Sequence, residues 1–315
     1  MTASAIALPA AVAGGTTRPR VHWHDRLAQV LLLGCCALLA LFLLGPMAAI
    51  LVKSVQDKSG AFVGLLQFRE YFATPALQSS IWNTFWVAMV VTGITIPFAF
   101  AYAYALTRSC MRGKILFRMI ALTPILAPSL MAAISFIQWF GNQGAMKFLL
   151  GGATVYGPLG IILSAIYATF PHALMIILTA LLLADGRLFE AAESLRTPTW
   201  RKFLTITLPG AKFGLVSATM VVFSYTVSDF GIPKVIGGNF NVLAVDIYKQ
   251  VIGQQNFNRG AVVSLILLLP VLVAFVVDWI MQGRLQAQFS ARAVPYAPKP
   301  SPSFDRTMFA YCLVV

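Results

Sequence analysis

The sequence predicts an all-α polytopic membrane protein. Two observations carry this. Of 315 residues, 59% are hydrophobic and only 10% are charged, well below the roughly 25% charged residues of a soluble domain. Apolar runs long enough to cross about 30 Å of hydrocarbon also recur along the whole length.

The expected spans are residues 27–52, 81–106, 119–140, 159–183, 213–228 and 260–281. The first is too long for the apolar core of a cleaved signal peptide and is read as an uncleaved span. Residues 1–26 form an N-terminal tail. Pro124 and Pro128 lie in the third span and Pro171 in the fourth, so bent helices are expected there. The fifth run is short and borrows Lys212 at one end and Asp229 at the other. The sixth carries Asp278 near its end, where Arg284 or a lipid-facing lysine is the expected partner. Residues 284–306 include the Pro-rich stretch VPYAPKPSPS and read as a linker. The run TMFAYCLVV, 307–315, resembles the start of a seventh span cut short.

The net charge is +13, and 16 of the 23 Lys and Arg fall in alternate loops: 1–26, 107–118, 184–212 and 282–306. That asymmetry is the positive-inside bias, and it puts the N-terminus in the cytoplasm. It accounts for most of the charge with no nucleic-acid partner. Four cysteines are too few for a disulfide scaffold, and none has metal-ligand spacing. No phosphate-binding GxxxxGK[ST], HExxH or GxSxG motif occurs. No cofactor, metal or catalytic residue is therefore expected in this chain, and any ATP hydrolysis belongs to another one.

The most charged internal segment is EAAESLRTPTWRKFLTITLPG, 190–210. The spacing predicts a helix over 185–195 with Leu188, Ala191, Ala192 and Leu195 on one face and Glu190 and Glu193 on the other. Thr197-Pro198 ends it. A second short helix is expected over 200–208, carrying Arg201, Lys202 and Phe203 and closed by Pro209-Gly210 before the fifth span. On physical grounds alone such a segment is either an ordinary interfacial loop or a docking knob for a soluble partner.

The segment resembles the EAA loop of inner-membrane permeases of ABC transporters, whose pattern is E-A-A, three residues, Gly, nine residues and I-x-L-P. Glu190-Ala191-Ala192 and Ile206-Thr207-Leu208-Pro209 match at that spacing, whereas Arg196 stands where the family has Gly. Stretches 83–108, 122–130, 169–181 and 228–238 are similar to the fused iron(III)/phosphonate type of permease, as are YGPLG, DIYKQVIGQQN and ARAVPYAPKP. The likeness covers nearly the whole chain. It implies a transport domain over 27–283 with its coupling loop at 184–210, in a bacterial inner membrane.

The substrate it implies is 2-aminoethylphosphonate, with ferric iron as the alternative. The implied partners are a cytoplasmic ATPase dimer, a periplasmic solute-binding protein and a second permease half, in the same chain or a second copy, besides membrane lipid. Glu190, Ala191, Ala192 and Leu195 would seat the loop in the ATPase, with Arg196, Trp200, Arg201, Ile206, Leu208 and Pro209 around it. A stand-alone secondary transporter is the competing class, but the spans lack the acidic chains such proteins use.

Candidate path or gate residues are Asn83, Thr84, His172, Asp229 and Phe230. Each has a plainer reading. Asn83, Thr84, Thr92 and Thr95 serve equally as helix–helix hydrogen bonders. His172 follows Pro171 and could bond a freed carbonyl. Asp229 could be an interfacial helix-end group, although the surrounding glycines and Pro233 suggest an irregular segment lining protein or water.

Overall fold

A computed structural model describes residues 23–287, 294 and 296–315. Most of the expected N-terminal tail and residues 288–293 and 295 of the expected linker lie outside the described residues. The described elements are α1 (Trp23–Ser54), α2 (Leu66–Ala73), α3 (Pro75–Arg108), α4 (Lys114–Leu122), α5 (Ser129–Phe140), α6 (Pro158–Leu182), α7 (Gly186–Ser194), α8 (Thr199–Lys202), α9 (Leu208–Ser228), α10 (Gly231–Ile236), α11 (Leu243–Tyr248), α12 (Phe257–Ala287) and α13 (Pro302–Val314). Among the described residues, β pairing amounts to one isolated antiparallel bridge, Gln56 with Phe62. Five helices are long and apolar enough to cross a membrane, or six if a bent pair is counted as one span.

The chain divides into two units, 1–49 and 50–315. The first holds most of α1, a 32-residue apolar helix that at 1.5 Å per residue reaches about 48 Å, ample for a bilayer. In the second, α3, α6, α9 and α12 pack pairwise, α3 and α12 each against α9 and α6 against both α3 and α9. The core they share is rich in small residues, including Ala99, Ala103, Ala173 and Ala218. Small side chains let backbones approach closely, which is how helices associate where lipid is as apolar as the core. Gly214 of α9 shows the limit: a Cβ there would sit 2.3 Å from the Cβ of Ala180 on α6. The Thr95 and Thr169 hydroxyls meet at 3.5 Å between α3 and α6. The Thr92 hydroxyl is buried with no partner.

Three expectations need correction. The third span is broken rather than gently bent: the segments Lys114–Leu126 and Ser129–Phe140 meet at 104°. Pro124 lies in the first turn of a 3₁₀ segment, and Pro128 favours the extended backbone that Ala127 takes, φ −94°, ψ 136°. Pro209-Gly210 does not close a short helix. Thr199–Ser228 is one continuous 30-residue rod, because a π turn over Phe203–Thr207 shifts the hydrogen-bond ladder just where Pro209 offers no N–H. Asp278 pairs with neither Arg284 nor a lysine; it accepts from the Ser217 hydroxyl on α9 and from Gln282 Nε2 at 2.7 Å.

Residues 302–314 form the helix α13. Its Tyr311 hydroxyl donates to the Phe98 carbonyl at 2.9 Å, and Phe309 meets Phe117 edge-on at 5.3 Å.

Candidate functional site

The 184–210 loop is built by strong local signals. Asp185 caps α7 by accepting from the Arg187 N–H at 3.1 Å, a role suited to aspartate at a helix start. At the other end the Arg196 N–H reaches the Glu193 carbonyl at 2.8 Å, and the Thr197 N–H reaches that of Ala192 at 2.9 Å. This pair of bonds is a Schellman closure, which puts one residue in the left-handed region. That residue is Arg196, at φ +51°. The departure from Gly therefore does not redirect the turn: Arg196 adopts the backbone a glycine would take, at a cost of roughly 1–2 kcal/mol. Arg196→Gly should recover part of it. Because glycine also loses more entropy on folding, the expected net gain is roughly 0.5–1 kcal/mol, read as a higher Tm of the purified protein in detergent.

The face expected to hold both alanines is split. Gly186, Phe189 and Ala192 turn inward, while Leu188, Ala191 and Leu195 face out beside Glu190. Phe189 is the bulkiest apolar residue of α7, and placing it inside rotates Ala192 with it at i+3. Trp200 and Leu195 are 66% and 79% exposed, so an apolar knob ringed by Glu190 and Arg201 stands at this end of the bundle. Ile206 is half-buried, whereas Leu208 and Pro209 are exposed.

Behind the knob lies a cavity of about 780 Å³, with Tyr104, Arg108, Glu193, Trp200 and Lys299 in its wall. The last residue of α3, Arg108, is 7% exposed. Its guanidinium packs against two rings that also touch each other, 4.5 Å from the Phe189 centroid and 4.3 Å from that of Tyr296. It also donates from Nη2 to the Leu181 carbonyl at 3.2 Å. The carbonyl ends of α3 and α6 both favour a cation here, while the Arg108 Nε is buried with no hydrogen-bond partner among the described residues. Glu193 is flanked by Lys202 at 3.7 Å and by Lys299. The Lys299 ammonium holds the Glu193 carboxyl below the usual carboxylate range, and the carboxylate in turn raises Lys299. Arg108, Phe189, Tyr296 and Lys299 were missing from the sequence-based set. The only signal for Arg108 was its share in the basic loop count.

At the opposite end, the expected path residues serve mainly to join elements. Asn83 donates to the Asn241 carbonyl at 2.9 Å. Thr84 accepts from the Leu243 N–H at 2.9 Å and donates to the Ser80 carbonyl at 2.7 Å. Asp229 accepts from the Ser129 hydroxyl at 3.0 Å and from the Ile232 N–H at 3.2 Å. It thereby ties the break after α9 to the break before α5. Phe230 packs its ring 5.2 Å from that of Tyr248. Thr84 and Asp229 share the wall of one narrow cavity with Thr226 and Pro233. His172 stands apart from these: its Nδ1 lies 3.2 Å from the Ala168 carbonyl, one turn back, and its ring is 5.2 Å from that of Tyr225. The carbonyl it meets is its own i−4 partner, not the one freed by Pro171, and α6 runs unbroken through that proline. Among the described residues no group of three or more His, Cys, Asp or Glu side chains could hold a metal ion.

The family of binding-protein-dependent transport system inner membrane components matches residues 96–285. The ferric transport system permease protein FbpB of Actinobacillus pleuropneumoniae is 25% identical over 80% of this chain and 38% of its own length. FbpB 1 of Haemophilus influenzae is 26% identical over 84% of this chain and 43% of its own. The chain thus spans about two fifths of the length of these two relatives. The sulfate permease CysW of Escherichia coli is 21% identical over 78% of this chain and 86% of its own length. In fold, a chain of a bacterial alginate ABC transporter, solved with a pentasaccharide-bound periplasmic protein, superposes with a TM-score of 0.65 at 16% identity, covering 86% of this chain and 98% of the other. With a family match running from the middle of α3 to the end of α12, this chain belongs to the binding-protein-dependent transport system inner membrane components.

Proposed function

We propose that the 184–210 loop couples this permease to a cytoplasmic ATPase dimer, and that a second permease half completes the path for a small solute delivered by a periplasmic binding protein. One observation carries the reading: the exposed knob of Leu188, Ala191, Leu195 and Trp200, ringed by charge and held at one end of the bundle by a closed turn. An exposed apolar group rimmed by polar residues marks an interaction site, and its charges set the register of the partner. The alternation of basic loops puts this end, and the N-terminus, on the cytoplasmic side.

Glu190→Lys reverses one charge on the rim without touching the buried face. Uptake by the full-length permease should fall about tenfold or more while ATP hydrolysis and membrane insertion persist, since like charges brought together across an interface cost several kcal/mol. Undiminished uptake would remove the coupling assignment.

The solute is 2-aminoethylphosphonate in this reading, on the strength of the sequence likeness in stretches 156–160, 246–256 and 291–300. Ferric iron is the second reading, favoured by the FbpB relatives. Uptake of radiolabelled 2-aminoethylphosphonate and of ferric iron, measured side by side in a deletion strain with and without the full-length gene, separates the two. Phosphonate uptake restored by the gene supports the first; a response of iron alone supports the second.

A further inference from the structure

The Pro-rich segment that reads as a linker in the sequence is bound along the back of the coupling loop. The Val294 carbonyl accepts from the Gly186 N–H at 2.8 Å, where α7 starts. Two residues on, the Tyr296 ring packs 4.6 Å from that of Phe189 and touches the Arg108 guanidinium beside it. The Pro298 carbonyl faces the Cys110 thiol at 3.3 Å. Lys299 reaches Glu193 on the last turn of α7. Asp305 then accepts from the Cys110 N–H at 2.6 Å and from the Ser301 N–H at 3.1 Å. The segment therefore touches α7 at its start, middle and end, and it is anchored on either side to the end of α3.

We infer that residues 294 and 296–305 form a strap that makes the coupling helix one mechanical body with α3, and that Tyr296 is the positioning residue that sets how much of the ATPase stroke reaches the spans. The inference rests on the coupling role proposed for the loop. A knob on a free loop would swing when pushed. A knob whose buried ring, Phe189, is clamped beside Arg108 by the contact of each with Tyr296 transmits displacement to the helix that carries Arg108. Exposed ion pairs are weak and screened by salt. The cluster of two rings and one guanidinium is largely desolvated, where such contacts are strongest, so Tyr296 outweighs Lys299.

The test uses the full-length permease with its ATPase and binding protein in proteoliposomes, measuring ATP hydrolysed per solute imported. Radiolabelled 2-aminoethylphosphonate serves as solute, or ferric iron if that is the solute the uptake experiment identifies. Tyr296→Ala removes the clamp and Tyr296→Phe keeps the ring. With Ala, the ATP consumed per solute is expected to rise about fivefold or more, hydrolysis itself being kept, whereas Phe stays within about twofold of the parent. Lys299→Glu should raise the ratio less, and adding Glu193→Lys to restore the pair in reverse should bring it back.

An unchanged ratio in Tyr296→Ala overturns the strap. So does a parallel loss of uptake and hydrolysis, which would mark Tyr296 as merely structural. Glu190→Lys run beside them separates the two readings. If it uncouples while the Tyr296 variants do not, the loop reading stands and the strap falls; if it too leaves the ratio unchanged, the loop reading falls as well.

Discussion

Gly214→Val is expected to leave no folded permease, and Gly214→Ala to destabilise it measurably. Gly214 lies where α9 crosses α6, and even a single methyl would stand 2.3 Å from the Ala180 Cβ. Ala180 is 2% exposed and belongs to the interior of α6, so neither partner can swing aside: a Cβ has no rotamer. The helices would have to separate, which loosens the whole α6–α9 seam. Overpacking of this kind costs about 1–3 kcal/mol for one added carbon and more for a branched side chain. Thermal unfolding of the purified permease in detergent reads the effect, with Gly283→Ala as control. A Cβ at Gly283 meets nothing within 4 Å, so that variant should hold or slightly gain stability, by up to about 1 kcal/mol, because alanine is the better helix former. Equal behaviour of the two Ala variants would show that the α6–α9 contact is not as close as described.

Asp229→Ala should lower stability by roughly 1–3 kcal/mol, as leaving two buried donors unsatisfied does, and uptake should fall about tenfold with it. Asp229→Asn should keep uptake within about threefold of the parent, because its amide oxygen can still accept from Ser129 or Ile232. The reasoning is geometric. Asp229 bridges α5 and α10 at two helix breaks, so the acceptor oxygens hold the structure whether or not the group also lines the path. A folded Asn variant that loses uptake as completely as the Ala variant would show instead that the negative charge itself is needed by the solute.

The two Asp residues near span ends illustrate the limit of sequence reading. Both were recognised as polar groups at membrane-facing edges from sequence alone. Their partners were not, because Ser129 lies 100 positions from Asp229 and Ser217 lies 61 from Asp278, and no local pattern links them. The same holds for the loop. Its helix, the end of that helix before Pro198 and its charged rim were legible, since capping and helical spacing act within a few residues; that Arg196 would take the left-handed backbone of a glycine was not. Which side of α7 faced inward was not, because that depended on where Arg108 could receive Phe189.

By itself, then, the sequence determined the helical class, the approximate spans and the place of the charged 184–210 loop. These follow from run length and local spacing, set by the hydrocarbon thickness and by backbone hydrogen bonding within one turn. Only the tertiary structure decided the 104° break in the third span, the continuous rod through Pro209, and the docking of the Pro-rich segment on α7. A proline states that a hydrogen bond is missing, not how the chain bends to accommodate it. Likewise a stretch such as VPYAPKPSPS declares only that it is neither helix nor strand. Whether it hangs free or binds depends on a ring meeting a guanidinium 188 positions away, Tyr296 on Arg108, and that meeting exists only once α3, α6 and α7 have packed.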